Sequence, residues 1–225
     1  MITLTDNIPA VFKNSAELIK IKATFNAYKN DGLFWVQNDG DAYIDMIDGN
    51  TVIFNNGADT EELKEFMSVI GPACVFSDIE TLRAIDKAPK EEISVMYIDA
   101  SGECDRDSDE LSSRQLYDLL NVDGLSLPDY PNFAVDICYR LNHKQAEYFG
   151  IKDTCAAISF HTEDYAIMNG IASHSKGFGG VALKNILAKN SGRHFLVCCR
   201  QHIKGFYENF GFKELYKAGY WVNER

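Results

Sequence analysis

The stretch SHSKGFGGVALKNILAK, residues 173–189, constrains this chain more than any other. It continues from YAIMNGIAS (165–173), which reads as a strand, and passes into GGVALKNILAKN (179–190), which reads as a helix. Three glycines lie at the junction, Gly177, Gly179 and Gly180, beside Lys176 and Phe178. Glycines let a backbone curl so that several N–H groups converge with no side chains in the way. The start of a helix adds unsatisfied N–H groups and the positive end of a dipole. Such a junction is either a tight strand-to-helix turn and nothing more, or a cradle for an anion, with phosphate or pyrophosphate the natural guest.

Two well-known phosphate loops do not fit. The GxxxxGK[ST] pattern is absent, and GxGxxG fails because position 182 is alanine. The surrounding order is more informative. TCAAISFHT (154–162) and YAIMNGIAS form two strands about a turn at Glu163 and Asp164. After the helix come a strand, RHFLVCC (193–199), a short helix, QHIKGFYENFG (201–211), and a last strand, FKELYKAGYWV (212–222). Upstream lie a strand, ISVMYIDA (93–100), and a helix, SSRQLYDLLN (112–121). NFAVDICYRLNHKQAEYFG (132–150) reads as helical, with Phe133, Ile137 and Leu141 on one face. The acidic GECDRDSDE (102–110) reads as a solvated loop and lacks the spacing of a calcium loop.

The first part is also mixed α and β. Residues 15–29 have helical spacing, LFWVQ and AYIDMID alternate like strands, and Gly49–Asn50 turns a hairpin into TVIFNN. A helix over 59–71 has Asp59 or Thr60 as cap and Gly71 as stop. ACVFSD then reads as a strand and IETLRAID as a short helix. The charged, proline-bearing DKAPKEE (86–92) reads as a linker, giving domains of 1–90 and 91–225.

Composition narrows the partners. A net charge of −11 opposes non-specific nucleic-acid binding, while leaving room for a local basic pocket. No apolar run is long enough to span a bilayer, and the N-terminus lacks a signal-peptide pattern, so a cytoplasmic protein with no membrane partner is expected. The six cysteines form no CxxC and no zinc-ligand spacing with histidine, so free thiols and no metal are expected.

Strand, glycine turn, helix, strand and then FYENFGF (206–212) together resemble the GCN5-related N-acetyltransferase (GNAT) family. Its acyl-CoA motif, Q/R-x-x-G-x-G/A, is matched by His174-x-x-Gly177-x-Gly179, and its later FYEKxGF-like string by FYENFGF. The resemblance covers 154–222, with an extension back to 93 expected. It implies a mixed α/β GNAT-like fold; the similar order of elements in the N-terminal part looks like a degenerate copy of it, with an unrelated α/β cap as the alternative. It implies transfer of an acetyl group from acetyl-CoA to the amine of a small molecule or peptide, by direct attack. Ile171, Ala172, Ser173, His174, Ser175, Lys176, Gly177, Phe178, Gly179, Gly180 and Arg200 are then the cofactor-binding residues, with Ile171 or Ala172 polarising the thioester. Tyr207 is the acid for the departing thiolate and Glu163 the base, with His161, Asp164 and Glu208 as alternatives. His174 and Arg200 depart from the usual residues at their positions. A non-catalytic acyl-CoA-binding or sensor module is the alternative, and a binder of another phosphate ligand a third. Monomer and homodimer both stay open.

Overall fold

The protein is described by a computed structural model covering residues 1–29, 31–125 and 127–223; the end of the expected second domain, Glu224 and Arg225, lies outside them. Among the described residues, eleven strands form one mixed sheet. The chain packs as two units, Met1–Tyr97 with the segment from Val197 onward, and Ile98–Leu196.

The first unit contains β1 (Ile2–Leu4), α1 (Ala16–Tyr28), β2 (Leu33–Gln37), β3 (Ala42–Ile47), β4 (Asn50–Asn55), α2 (Thr60–Ile70), β5 (Cys74–Asp78) and α3 (Ile79–Ala84). β6 (Glu91–Asp99) begins in it and ends in the second unit. Alternation along the strands sends neighbouring side chains to opposite faces. Phe34 and Phe54 pack with Leu18, Ile21 and Phe25 of α1, while Trp35 and Ile53 pack with Leu63 and Met67 of α2. The α2 helix stops at Gly71, whose left-handed φ of 58° lets its N–H reach the Met67 carbonyl.

The second unit holds α4 (Ser113–Leu120), α5 (Tyr130–Asn142), β7 (Ala146–Ile151), β8 (Cys155–His161), β9 (Tyr165–Ser173) and α6 (Phe178–Lys189). β10 (His194–Arg200) leaves it for the first unit, followed there by α7 (Lys204–Glu208) and β11 (Lys213–Val222). Leu116, Leu120, Phe133 and Ile137 of α4 and α5 cover Ala156 and Ile158 of β8. The opposite parity, at Ser159, meets α6 through an Asn190 Nδ2 bond of 2.8 Å.

One expectation is corrected, and the chain packs in groups other than those of a division at Lys90. The helical reading of 132–150 fails at its second half: Lys144 takes a left-handed φ of 55°, and β7 pairs antiparallel with β8. The division at Lys90 also differs from the packing. Glu91 and Glu92 of the expected linker already belong to β6, and Lys90 N–H donates to the Tyr220 carbonyl. β11 pairs antiparallel with β5 and β6, which ties the C-terminal segment to the first unit.

Each unit contains a parallel pair built the same way. β4 and β5 pair over Asn50–Val52 and Cys74–Phe76, and β9 and β10 over Tyr165–Ile167 and His194–Leu196. In both, pairing stops after three residues and the first strand runs on, β4 to Asn55 and β9 to Ser173.

Candidate functional site

The site is built on the stretch of β9 beyond Ile167. On one side it stays paired with β8, with one extra residue, Asn169, between Met168 opposite Ser159 and Gly170 opposite Ile158. Such a bulge bends a strand and sharpens its twist. On the other side, among the described residues, no strand accompanies β9 past Ile167. The N–H of His174 donates to the Thr154 carbonyl at 2.8 Å, which fixes the parity of the strand. Ala172 and Gly170 therefore point their backbone groups at β8, and Ile171 and Ser173 point theirs at the open edge. An open edge can take another extended chain.

That edge runs into the glycine turn. The Ser173 hydroxyl donates to the Ser175 carbonyl at 2.6 Å and accepts the Ser175 N–H at 3.3 Å. Phe178 N–H returns to the Ser175 carbonyl at 3.2 Å. Gly177 sits at φ 87°, a conformation any side chain would strain. The α6 helix then starts without a side-chain cap, so donors of its first turn are left for an outside acceptor. Residues 173–177 are exposed, and Lys176 has no ion-pair partner among the described residues.

Sequence reasoning missed what braces this turn. Asn185, fully buried in α6, accepts the N–H groups of Asp105 and Arg106 at 3.2 and 3.3 Å. Its amide donates to the Asp105 carboxylate at 2.6 Å and the Val181 carbonyl at 2.9 Å. The acidic loop is thus pinned to α6, and the Arg106 guanidinium lies 5.7 Å from the Phe178 ring centroid. A cation therefore stands beside the first residue of the uncapped helix.

The corresponding turn of the first unit, between β4 and α2, fills its own donors. Asn55 Oδ1 accepts the N–H groups of Gly57 and Ala58, both at 2.9 Å. The Asp59 carboxylate accepts those of Glu61 and Glu62 at 3.1 and 3.2 Å.

No protein-family model matches the sequence, and no curated protein matches it. Solved structures do match its fold. A GCN5-related N-acetyltransferase from Kribbella flavida superimposes with a TM-score of 0.58 at 9% identity, over 92% of this chain and 95% of that one. One from Sphaerobacter thermophilus gives 0.55 at 14% identity, over 84% and 79%. A tandem GNAT protein from the clavulanic acid biosynthesis pathway gives 0.51 at 10% identity, over 85% and 82%. The fold is that of the GCN5-related N-acetyltransferases. The tandem match accords with the two parallel pairs.

The residues expected from the GNAT resemblance are not all in one place. Ile171 to Gly180 form the edge and turn just described, with two qualifications. Ala172 faces β8 by parity, and the His174 ring is spent on the Leu119 carbonyl at 3.0 Å from Nε2. Arg200 belongs to the first unit and pairs with Glu91 at 2.6 Å. Glu163 is exposed at the opposite end of β9, whose nine residues separate it from the turn by roughly 30 Å. His161 and Asp164 share that end, and Glu208 pairs with Lys204 at 3.6 Å.

Tyr207, in the first unit, is 3% exposed, its ring edge-on to Phe212 at 5.5 Å. Burial pushes its phenol well above the ordinary range. The FYENFGF string also has a packing role. Gly211, at φ 89°, closes the helix on Glu208, and Phe212 N–H returns to the Tyr207 carbonyl at 3.2 Å. Among the described residues, no helix is long and apolar enough to cross a membrane.

Proposed function

We propose that the protein is an acyl-CoA-dependent N-acetyltransferase, moving an acetyl group from acetyl-CoA to a primary amine of a small molecule or peptide. The observation that carries this reading is the open edge of β9 running directly into an uncapped, glycine-lined helix start. Those groups suit acetyl-CoA, whose amide-bearing arm can pair with a strand edge and whose pyrophosphate needs N–H donors and cations. Ile171 and Ser173 would hold the arm, and Ser175 to Gly180, with Lys176 and Arg106, the phosphates. When bound, acetyl-CoA supplies an acyl group activated as a thioester.

The chain's own residues would then act as follows. The Ile171 N–H, directed at the open edge, donates to the carbonyl oxygen where negative charge develops. Tyr207, a phenol, holds its proton at neutral pH, which is the state needed to donate toward a thiolate. The position of Tyr207 in FYENFGF supports this role.

One observation favours the second reading, a non-catalytic acyl-CoA binder. Glu163, the base expected from the resemblance, stands at the far end of β9, roughly 30 Å along the strand from the turn that would hold the cofactor. Calorimetric titration with acetyl-CoA, CoA and ATP tests both. Micromolar binding of acetyl-CoA that Gly179→Glu abolishes is expected. Absence of binding by either CoA species to folded protein would sink the reading. In an enzyme Tyr207→Phe lowers turnover and leaves CoA affinity in place; equal turnover would remove Tyr207 as the acid.

A further inference from the structure

The first unit carries an open cavity of ≈ 920 Å³ that the reading above does not use. It lies among the N-terminal end of α1, the end of β4, α3 and the middle of β11. Its distinctive wall residue is Glu17, a carboxyl 3% exposed in the first turn of α1. Oε2 of Glu17 accepts from the Ser15 hydroxyl at 2.7 Å and from the Tyr216 hydroxyl. Oε1 is buried with no hydrogen-bond partner; no cation lies within ion-pair distance of Glu17 among the described residues, and the nearest opposing charge is felt from the Lys20 ammonium one turn on in α1. Leaving a buried carboxyl oxygen unpaired is costly, and a fold keeps such a group chiefly where something else completes it.

The rest of the wall decides the sign of the missing partner. The helix N-termini that border the cavity are already capped by the chain's own side chains. Ser15 caps α1, and Asp78 caps α3 through Thr81 N–H at 2.9 Å. Ala16 N–H goes to the Tyr216 hydroxyl at 2.9 Å. Arg83 is neutralised by Glu92 at 2.9 Å, and Lys217 by Glu214 at 2.5 Å. Glu17, Asp78 and Glu80 line the cavity without a cation partner among the described residues. The remaining wall cation, Lys13, places its ammonium 4.6 Å from the Phe54 ring centroid, so an aromatic face here already accommodates an ammonium group.

We propose that this cavity binds an organic ammonium compound, a small primary amine or diamine, with Glu17 as its principal acceptor. An ammonium group supplies the donors that Oε1 lacks and the charge that Asp78 and Glu80 leave unmatched. An anion would meet these acceptors at helix starts that the chain's own side chains already cap. The proposal stands independently of acyl-CoA binding, because every residue it uses belongs to the first unit.

The test is titration of the full chain with 1,4-diaminobutane, butyrate and 1-butanol, followed by calorimetry without acetyl-CoA. The diamine is expected to bind and the anion and the neutral alcohol to bind far more weakly. Glu17→Gln, close to isosteric, should weaken the diamine by about tenfold or more, as loss of a charge-assisted hydrogen bond does. Ala84→Lys adds a cation at an exposed wall position and should weaken it as well. If Glu17→Gln fails to fold, Ala84→Lys decides alone. No diamine binding, equal binding of butyrate, or binding indifferent to the folded variants overturns the proposal. Acetyl-CoA titrated separately into each variant reports on the glycine turn, so the two readings fail distinguishably.

Discussion

The two units use the same parallel-pair device and finish it oppositely. In each, a strand outruns its parallel partner after three paired residues and turns into a helix. At α6 the turn is glycine-lined and uncapped, with Lys176 and Arg106 close by in the same unit. At α2 it carries Asn55, Asp59, Glu61 and Glu62, so the donors are met and the first turn is already acidic. The helix dipole is common to both; the side chains around it decide whether an outside anion can be received. One copy of the device leaves helix-start donors open, and the other has closed itself with its own side chains.

The largest expected effect comes from making the open copy resemble the closed one. Gly179→Glu puts a carboxylate in the first turn of α6, as Glu61 and Glu62 stand in α2. It should weaken acetyl-CoA by about 100-fold or more, because it adds repulsion and fills the backbone cradle at once. Melting temperature should change little, since an acidic residue suits a helix start. Unchanged affinity in calorimetry would mean that the glycine turn is only a turn.

Much of this contrast is legible in the sequence, and some of it is not. The glycines, the Asp59 cap and the flanking strands are local patterns, and each appears where its pattern lies. β7 escapes because the helical spacing of Phe133, Ile137 and Leu141 runs up to it without a glycine; Lys144 makes the left-handed stop instead. The grouping of the chain escapes because β11 finds β5 across most of the sequence, a pairing no local spacing encodes. Asn185 escapes for a different reason. One amide in an apolar helix reads as a surface residue, and its partners Asp105 and Arg106 lie in a loop whose charge reads as solvated.

That hidden clamp gives the next prediction. Asn185→Ala removes acceptors and donors from a fully buried position and should destabilise the protein by about 2 kcal/mol in denaturant unfolding. It should also weaken acetyl-CoA, because Arg106 is then no longer held near Phe178. Arg106→Ala separates the two effects. It should leave stability nearly unchanged and weaken acetyl-CoA about fivefold, with a shallower salt dependence than wild type. If Asn185→Ala lowers stability while Arg106→Ala leaves affinity intact, the clamp is structural and the cation plays no part in phosphate binding.

The smallest effect tests the closed copy. Asp59→Ala leaves the N–H groups of Glu61 and Glu62 without their side-chain acceptor and should lower stability by about 1 kcal/mol. It should not create a phosphate site, because Asn55 still occupies Gly57 and Ala58, and Glu61 and Glu62 still repel an anion. Acetyl-CoA titrated into this variant should therefore show the same stoichiometry as into wild type. A second binding event would mean that the Asp59 cap alone closes the first unit. The contrast between the units would then rest on one residue, not on the whole acidic turn.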